Sequence, residues 1–493
     1  MKTRKRIAAV ILTLTLAVLY GLLPLAESAQ PCGITPLIIV NGMNAVPLFS
    51  DYGTPQAKQA FPPTASHLLG AAKAVPGLLK AGLTRDWNVY CDAVMPALSG
   101  MFEAIACNPD GSPKHEIGFI TFPNSYAEDD RFGTVETGLP FDLALAERIG
   151  KDHTWLHIFD WRLAQTDLAQ DLNELILRVK RETGYGQVNI IALSLGTTVM
   201  MTYLEMFGHK DIKNLILMSS AFQGMQMAGD LFNGRVKTDA AAITNAITQF
   251  TQDIPVAGPM ADALFAMLIK SGGMDSFIAG FDNLVGNSAD RFYKEVFAPL
   301  FGQFAGVWGG IPDRDYESAK AFLLDETIHK DLIKKIDYYH YRVANRSQEI
   351  LRAAMADGMT LTITSHYGVA GVPIGDRSLN THCDGIIDTA GTSAGATCAP
   401  YGEILGTGYK QKIDCGHNHL SADGVIDAST CMFPEQTWFI KNMMHVDYSP
   451  EGDALELLVW LVQAQKQLTV RSNAKFPQFM QLNPDLSLSP VKA

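Results

Sequence analysis

Beyond its first six residues the sequence has no block of basic residues, and its charge balance is acidic. It has 39 lysines and arginines against 51 aspartates and glutamates, which gives a formal net charge of -12. A nucleic-acid partner is not expected, because phosphate-binding surfaces need clustered positive charge. Charged residues make up 18% and hydrophobic residues 47% of the 493 positions. That composition excludes a disordered chain and predicts roughly one to three globular domains.

The sequence has only one apolar run that approaches the length of a membrane span. That run, Ile7–Leu25, follows a positive segment at 2–6 and precedes mostly small residues at 26–29. This arrangement is typical of a secretory signal peptide, and Pro24 near the end of the run favours cleavage. We predict a signal peptide at 1–29 and an exported protein, either secreted or at the cell surface. A retained N-terminal anchor is the alternative.

Cysteine is scarce, and every cysteine lies beyond the predicted signal peptide. Export permits disulfides, and four of the seven cysteines fall between Cys383 and Cys431. The odd number leaves at least one thiol unpaired or paired with another chain. The pairing stays open; our preferred arrangement joins Cys91 to Cys107 and places two bridges within the C-terminal cluster. The seven are Cys32, Cys91, Cys107, Cys383, Cys398, Cys415 and Cys431.

Short apolar runs alternate with helical periodicity in the first half of the chain. Runs that end at Val40, Phe159, Leu193 and Met218 are typical of buried strands, and apolar residues recur at helical spacing between 167 and 183. Strands that alternate with helices predict an α/β protein with a mostly parallel central sheet.

The alternation of strand-like and helix-like segments ends after the run that finishes at Met218. From 221 to 355 the chain is mostly helix-like, which predicts an inserted helical cap. Aromatic residues recur at helical spacing in this predicted cap, which is typical of a packed interior. The alternative is that they line the underside of the cap and contact the substrate, if the substrate carries a lipid chain. Strand character returns at Thr360–Thr364 and Thr437–Ile440. We therefore expect a first core segment at 30–220, the cap at 221–355, a second core segment at 356–470 with a cysteine-rich insert at 398–431, and a loose polar tail at 471–493.

The stretch "IIALSLGTT" around Ser194 is similar to the G-x-S-x-G nucleophile elbow of serine hydrolases, with alanine in place of the first glycine. The elbow holds a serine on a strained turn between a strand and a helix, where its hydroxyl is exposed. A hydrophobic strand precedes Ser194 and a helical stretch follows it. Ala192 adds one methyl group, whereas the more confined Gly196 is intact. Ser194 is a candidate nucleophile, and a structural serine on an ordinary turn is the alternative.

Four stretches, taken in order, resemble the lecithin:cholesterol acyltransferase family of α/β-hydrolases, which includes acyltransferases and phospholipases. They are "PLIIVNGMNAVPLF", "FDWRLAQ", "NIIALSLGTTVMMTYL" and "LTITSHYGVAGVPI…HCDGIIDTAG". The resemblance implies an α/β-hydrolase fold, with Ser194 as nucleophile and Asp384 as the acid. It also implies an oxyanion hole formed by backbone amides at Met43 or Asn44 together with Leu195. The chain departs from the family pattern at Asn41, Ala192 and Cys383.

Because two segments of the sequence are similar, the identity of the catalytic acid stays open. Asp384-Gly-Ile-Ile-Asp and Asp423-Gly-Val-Ile-Asp read alike, and both lie between the candidate nucleophile and the C-terminus. Asp384 follows the strand region at 360–364 and matches the family position. Asp423 lies inside the cysteine-rich insert, where a turn or ion-binding role is more natural. We favour Asp384, with Asp423 and then Asp388 as the rivals.

The base is predicted near the C-terminus, because hydrolases of this fold place the histidine after the acid. His445 follows a strand and precedes the final helix, and it is the preferred candidate. His417 and His419 are the alternatives, and a zinc site that adds Cys415 to them is conceivable. A second ligand pair at ordinary spacing is missing and exported cysteines usually oxidise, so we expect no metal and no cofactor. His382 reads as a loop residue.

These features predict a serine acyl-hydrolase of lipase or phospholipase type, or an O-acyltransferase that hands the acyl group to an alcohol. The expected partner is a lipid or other ester, with peripheral contact to a membrane or lipid surface. The departures at Ala192 and Cys383 motivate an alternative from another class. In that alternative the protein is a cell-surface binding protein with a hydrolase fold that has lost catalysis.

Overall fold

A computed structural model describes residues 33–64, 87–135, 137–236, 289–371, 380–445 and 447–493, with single positions at 67, 74, 76, 77, 80 and 375. The predicted signal peptide, Cys32 and the middle of the predicted cap lie outside these residues. Within the described ranges no helix is both long and apolar enough to span a bilayer.

Fifteen short strands run through the described part of the chain. In chain order they are β1 (Leu37–Val40), β2 (Leu48–Ser50), β3 (Lys58–Phe61), β4 (Ile117–Gly118), β5 (Thr154–His157), β6 (Val188–Leu193), β7 (Ile212–Met218), β8 (Thr360–Tyr367), β9 (Val369–Ala370), β10 (His382–Cys383), β11 (Thr397–Cys398), β12 (Ile426–Asp427), β13 (Thr437–Lys441), β14 (Phe479–Leu482) and β15 (Leu488–Pro490).

Eight of these strands form a central sheet in the order β15-β14-β13-β8-β7-β6-β1-β5. Every neighbouring pair is parallel except β14 with β15. The strands coincide with the apolar runs of the sequence because a parallel sheet is covered on both faces and buries consecutive side chains. In β6, Ile190 and Ala192 belong to one apolar layer and Ile191 and Leu193 to the other.

Helices cover both faces of the sheet. They are α1 (Trp87–Phe102), α2 (Asp142–Ile149), α3 (Gln165–Thr183), α4 (Gly196–Phe207), α5 (Gln226–Phe232), α6 (Ala298–Leu300), α7 (Asp313–Leu323), α8 (Lys330–Asp337), α9 (Ser347–Ala356), α10 (Thr389–Thr392) and α11 (Asp453–Val462). Leu172 of α3, Val199 of α4 and Leu351 of α9 lie in one layer. Leu145 of α2 and Leu458 of α11 lie in the other.

Between β7 and β8 the residues at 219–236 and 289–359 form helices and turns and contain no strand. An aromatic cluster builds the interior of this region. The Phe232 ring lies 5.2 Å from the Phe297 ring and 5.1 Å from the Trp308 ring, both edge-on. These aromatics are therefore mostly core residues of the region above the sheet.

The C-terminal residues differ from the expected loose tail. Strand β14 pairs with β13 and β15 pairs with β14, which extends the central sheet at one edge. Met480 and Leu488 are buried there. An edge strand that buries single side chains leaves only a weak apolar pattern in the sequence, and the two strands were missed for that reason.

The preferred disulfides are also not present. The six described cysteines are all free thiols. Cys91 packs in a small cluster with Met95, whereas Cys107 belongs to the main apolar layer of the sheet. The Cys91–Cys107 bridge is not formed because the two side chains occupy different clusters.

Candidate active site

Ser194 occupies the turn between β6 and α4. Its φ is 50°, a left-handed conformation that a residue with a side chain rarely adopts. The Ser194 N–H donates to Met218 O at 3.0 Å, and the Thr197 hydroxyl donates to Ser194 O at 2.6 Å. The turn is therefore held in its strained geometry from both sides, as a nucleophile elbow requires.

The two small positions of the motif differ in how tightly they are confined. A Cβ on Gly196 would stand 2.3 Å from Asn41 O and 2.8 Å from Val40 O, so only glycine fits. Ala192 is buried within β6, and its methyl group is part of the apolar layer below the sheet. The departure from the G-x-S-x-G pattern therefore falls where a methyl group packs rather than clashes.

His445 lies against Asp384. The distance between His445 Nδ1 and Asp384 Oδ2 is 2.7 Å, and the carboxyl is fully buried. Its other oxygen, Oδ1, accepts from the Ile386 and Ile387 amides at 3.0 and 2.7 Å. Burial acts to raise the pKa of Asp384, but His445, with smaller contributions from His366 and the Ile387 amide, holds that pKa below its usual value. Asp384 is thus ionised at neutral pH and orients the imidazole.

A second buried histidine, His366 in β8, supports the loop that carries His445. His366 Nδ1 lies 3.0 Å from Met444 O, and since a carbonyl only accepts, this nitrogen donates. His366 Nε2 lies 3.0 Å from the Tyr448 hydroxyl. Ser219 adds a bond from its hydroxyl to His445 O at 2.7 Å. Burial lowers the pKa of His366 to about 4, so the ring is neutral at physiological pH.

The sequence interpretation did not single out His366 or Ser219. A signal was present, because His366 stands in "TSHYG", directly before the Tyr-Gly pair that carried the family resemblance. Ser219 likewise follows the end of β7, at the edge of the sheet where Ser194 follows β6. Positions at the carboxyl ends of parallel strands commonly build sites in α/β folds.

The loop after β1 lies beside Ser194. A Cβ on Gly42 would stand 2.8 Å from Ser194 Cβ, so this backbone passes close to the serine. Asn41 shapes the loop, since its Oδ1 accepts from the Gly42 amide at 2.7 Å and its Nδ2 donates to Thr137 O at 2.9 Å. Across the described residues, the Met43 and Leu195 amides donate to no protein acceptor. Both could therefore bind a substrate oxygen.

Ser194 and His445 open into one pocket of about 420 Å³. The predicted oxyanion residues Met43, Asn44 and Leu195 line the same pocket. The rest of its wall comes mainly from apolar side chains of the region between β7 and β8: Met225, Met227, Ala228, Leu231, Phe232, Phe297, Phe301 and Val307. The pocket thus joins candidate reactive groups to an apolar chamber, which suits an ester with a hydrocarbon part.

The rival acids have other partners. Asp423 Oδ2 accepts from Lys441 Nζ at 2.8 Å and from the Tyr367 hydroxyl at 3.1 Å. Asp388 caps α10 by accepting from the Gly391 amide at 3.0 Å, and it also accepts from the Gln226 amide at 2.6 Å. These contacts give Asp423 and Asp388 structural roles.

The rival histidines also lie elsewhere. His417 and His419 both lie within 3.2 Å of Glu435, before β13, and neither lines the pocket of Ser194. His382 is buried in β10, and its ring centroid lies 5.2 Å from that of Tyr401. Cys383, one of the departures from the family pattern, donates its thiol to Val369 O and accepts from the Gly385 amide. Cys383 therefore holds the turn around Asp384, and it does not line the pocket of Ser194.

Comparison with known proteins bears on the fold. A family model described as the alpha/beta hydrolase fold matches residues 150–297, which include β5, β6, Ser194 and β7. The chain has the α/β-hydrolase fold. No relative is found among curated proteins. One solved chain comes from work on carboxylesterases of the ammonia-oxidizing thaumarchaeon Nitrososphaera gargenis. It is 15% identical, with 44% of this chain and 86% of that chain covered and a TM-score of 0.17.

Proposed function

We propose that this chain is an exported serine acyl-hydrolase or O-acyltransferase that acts on lipid-like esters. The observation that carries the proposal is the shared pocket: Ser194 and His445 both line it, and Asp384 lies behind His445 at its Nδ1. A serine hydroxyl attacks an ester only when a base removes its proton, and an acid behind the base holds the imidazole in the required tautomer.

In the proposed reaction, Ser194 Oγ attacks the ester carbonyl while His445 Nε2 takes the serine proton. The tetrahedral oxyanion is bound by the Leu195 amide together with the amide of Met43 or Asn44, a pair that supplies electrostatic stabilisation in acyl transfer. His445 then gives its proton to the departing alcohol, which leaves an acyl-enzyme. Water releases the acyl group in a hydrolase, and an alcohol takes it in a transferase.

Two features support a lipid-like substrate. The pocket wall above Ser194 is apolar, with Leu231, Phe297 and Phe301 among its side chains. The resemblance of four stretches to the lecithin:cholesterol acyltransferase family points the same way. We propose that the acyl chain occupies the space under the helices between β7 and β8, and that the protein meets its substrate at a membrane or lipid surface.

Export is proposed from the N-terminal segment alone. A fusion of residues 1–29 to a reporter that is active only outside the cytoplasm tests it, because a positive segment followed by an apolar run directs secretion. Reporter activity with N-terminal processing after residue 29 supports a cleaved signal. Activity without processing supports the retained anchor, and no activity rejects export.

Labelling with a fluorophosphonate tests the nucleophile. We expect the wild-type protein to be labelled and Ser194→Ala to be unlabelled. Ser220→Ala is the matched control, since Ser220 is buried one residue beyond Ser219 and does not line the pocket. Equal labelling of wild type and Ser194→Ala would reject the assignment. Absence of labelling in a folded wild-type protein would favour the inactive binding protein.

Hydrolysis and transfer share the acyl-enzyme, so only the acceptor separates them. We would load the enzyme with a chromogenic long-chain ester and add a long-chain alcohol or a sterol. A faster release of chromophore together with a new ester product identifies a transferase. Release of free fatty acid at a rate that the alcohol does not change identifies a hydrolase.

A further inference from the structure

A cluster of metal-binding side chain types lies at the other end of β13 from His445. The ligand atoms of Cys415, His417 and His419 all lie within 4.8 Å of one another. Glu435, just before β13, joins them: its Oε1 lies 3.0 Å from His417 Nδ1 and 3.2 Å from His419 Nε2. Glu435 could not be predicted as a fourth ligand from the sequence, because its distance along the chain from Cys415, His417 and His419 matches no common spacing of metal ligands.

The hydrogen bonds of His419 leave one ring nitrogen as an acceptor. Its side chain is 1% exposed, and its Nδ1 lies 2.7 Å from Gln478 Oε1. The Gln478 amide donates its Nε2 to Pro434 O at 2.7 Å and Thr437 O at 3.1 Å, so its oxygen must face the histidine. His419 Nδ1 is therefore the donor, and in the neutral ring Nε2 carries the lone pair.

His419 Nε2 forms no hydrogen bond with any described residue and points at the carboxylate of Glu435. A lone pair that faces a carboxylate is repulsive, and either a proton on Nε2 or a cation shared by the two groups relieves it. The same carboxylate oxygen faces His417 Nδ1. The structure thus gathers two imidazole nitrogens, a carboxylate oxygen and a thiol, and the Arg471 guanidinium is the cation already paired with that carboxylate.

The two distances from Glu435 to the histidines suit a tetrahedral metal ion. Bonds of about 2.0–2.1 Å from zinc to nitrogen or oxygen give ligand-to-ligand edges of about 3.3 Å in a tetrahedron. The distances from Glu435 Oε1 to the two ring nitrogens, 3.0 and 3.2 Å, are close to that length. Arg471 binds both oxygens of Glu435, at 2.7 and 2.6 Å, and keeps the carboxylate oriented.

We propose that Cys415 Sγ, His417 Nδ1, His419 Nε2 and Glu435 Oε1 bind one Zn²⁺ ion. Sulfur, imidazole and carboxylate ligands are those that zinc takes, and Gln478 supplies the outer bond that fixes His419. Binding converts the Cys415 thiol to a thiolate and releases its proton to solvent. A metal at this site would depart from the expectation, drawn from the sequence, that none is bound.

The role of the ion is structural. Four protein ligands leave no open position for substrate, which is typical of structural zinc. Glu435 precedes β13 and His445 follows it, and a strand of this length separates them by roughly 15 Å or more. The ion would tie the cysteine-rich insert to the starts of β13 and β14, where Glu435 and Gln478 lie.

Metal content of the purified protein, dialysed against Zn²⁺ and then against metal-free buffer, tests the proposal. We expect about one zinc per chain in the wild type and its loss in Cys415→Ser and in His419→Gln, since removal of one of four ligands strongly weakens a structural site. Cys415 is exposed, so Cys415→Ser should fold even if His419→Gln does not. His115→Gln is the matched control: His115 also faces a carboxylate, Glu103, at 3.4 Å but has no thiol beside it.

A second measurement follows the thiol itself. Iodoacetamide should alkylate Cys415 slowly in the zinc-loaded protein and faster after chelation, and chelation should lower the melting temperature of the wild type but not of Cys415→Ser. Zinc content unchanged by Cys415→Ser, no bound zinc, or Cys415 found in a disulfide by mass spectrometry would overturn the proposal. Fluorophosphonate labelling of Ser194 is independent of these outcomes, so failure of the zinc site leaves the proposed function standing.

Discussion

His445 Nδ1 lies 2.7 Å from Asp384 Oδ2, although 61 residues separate the two in sequence. The contact occupies Nδ1, which leaves Nε2 as the nitrogen available to act on Ser194. The amides of Ile386 and Ile387 hold the other carboxylate oxygen. Asp384 is therefore held by the backbone of its own turn as well as by His445.

Asp384→Asn should lower kcat by about 10⁴-fold with little change in KM, because an amide in this place favours the wrong tautomer of the imidazole. Asp423→Asn is the matched control. It removes an ion pair with Lys441 and should reduce the melting temperature while leaving kcat near the wild-type value. Ester hydrolysis measured on both variants distinguishes them, and an equal loss of kcat in the two would contradict the assignment.

Gly196→Ala should destabilise the fold strongly. The new methyl carbon would stand 2.3 Å from Asn41 O, and a clash with backbone requires movement of the β1 loop or of α4. We expect a cost of about 3 kcal/mol or more. Ala192→Gly should cost only about 1 kcal/mol, from the added freedom of the unfolded chain and one lost methyl contact. Thermal unfolding followed by circular dichroism ranks the two, and the reverse order would count against the elbow geometry.

Ala228→Phe should shorten the acyl chain that the enzyme accepts. Ala228 lies on α5, lines the pocket and is 4% exposed, so a phenyl ring there would fill part of the 420 Å³ chamber. We expect kcat/KM for an octanoyl ester to fall by about tenfold relative to an acetyl ester, because several methylene contacts are lost. The acetyl ester serves as the internal control. A parallel loss on both esters would show that the acyl chain lies elsewhere.

His366→Ala should lower kcat while leaving KM nearly unchanged, because His366 acts on the His445 loop through Met444 O and does not line the pocket. His366→Asn should recover part of the activity, since the asparagine Nδ2 can replace the donating Nδ1. We expect a loss of about 10- to 100-fold for alanine, the size that follows when a supporting hydrogen bond is removed. No difference between the two variants would remove His366 from the positioning role.

Acid stability should depend on His157, which is buried in β5. Burial lowers the pKa of His157 to about 4 from an ordinary value of 6.5. Between those two pH values the unfolded chain binds a proton that the folded chain does not. The stabilisation is therefore present above pH 6.5 and is lost as the pH falls to about 4, by on the order of 3 kcal/mol.

His157→Phe removes this titration, so its free energy of unfolding should fall less steeply than that of the wild type between pH 6.5 and 4. His115→Gln, at an exposed histidine, is the control and should follow the wild type. Urea unfolding at several pH values measures the slopes. A variant slope that equals the wild-type slope would show that His157 is protonated without cost in the fold.

The core strands could be predicted from sequence because each buries consecutive residues. The strand ending at Leu193 is buried throughout, and all of its residues except Asn189 are apolar, which marks it as a strand. The small sheet of β2, β3 and β4 and the edge strands β14 and β15 could not, since each of these strands buries at most one side chain. The unformed Cys91–Cys107 bridge failed for a different reason, because proximity in sequence says little about which cluster a thiol joins.

By itself the sequence determined the elbow, since a buried strand, a serine and a glycine at 196 are local features. That only glycine fits at 196 was decided by the fold, which places Asn41 O and Val40 O against it. Tertiary structure decided which carboxylate meets which histidine. Asp384 and Asp423 begin nearly identical segments, and only the fold sends one to His445 and the other to Lys441. It also brought Glu435 to His417 and His419. Local patterns determine backbone geometry, whereas contacts between distant side chains depend on how the layers pack.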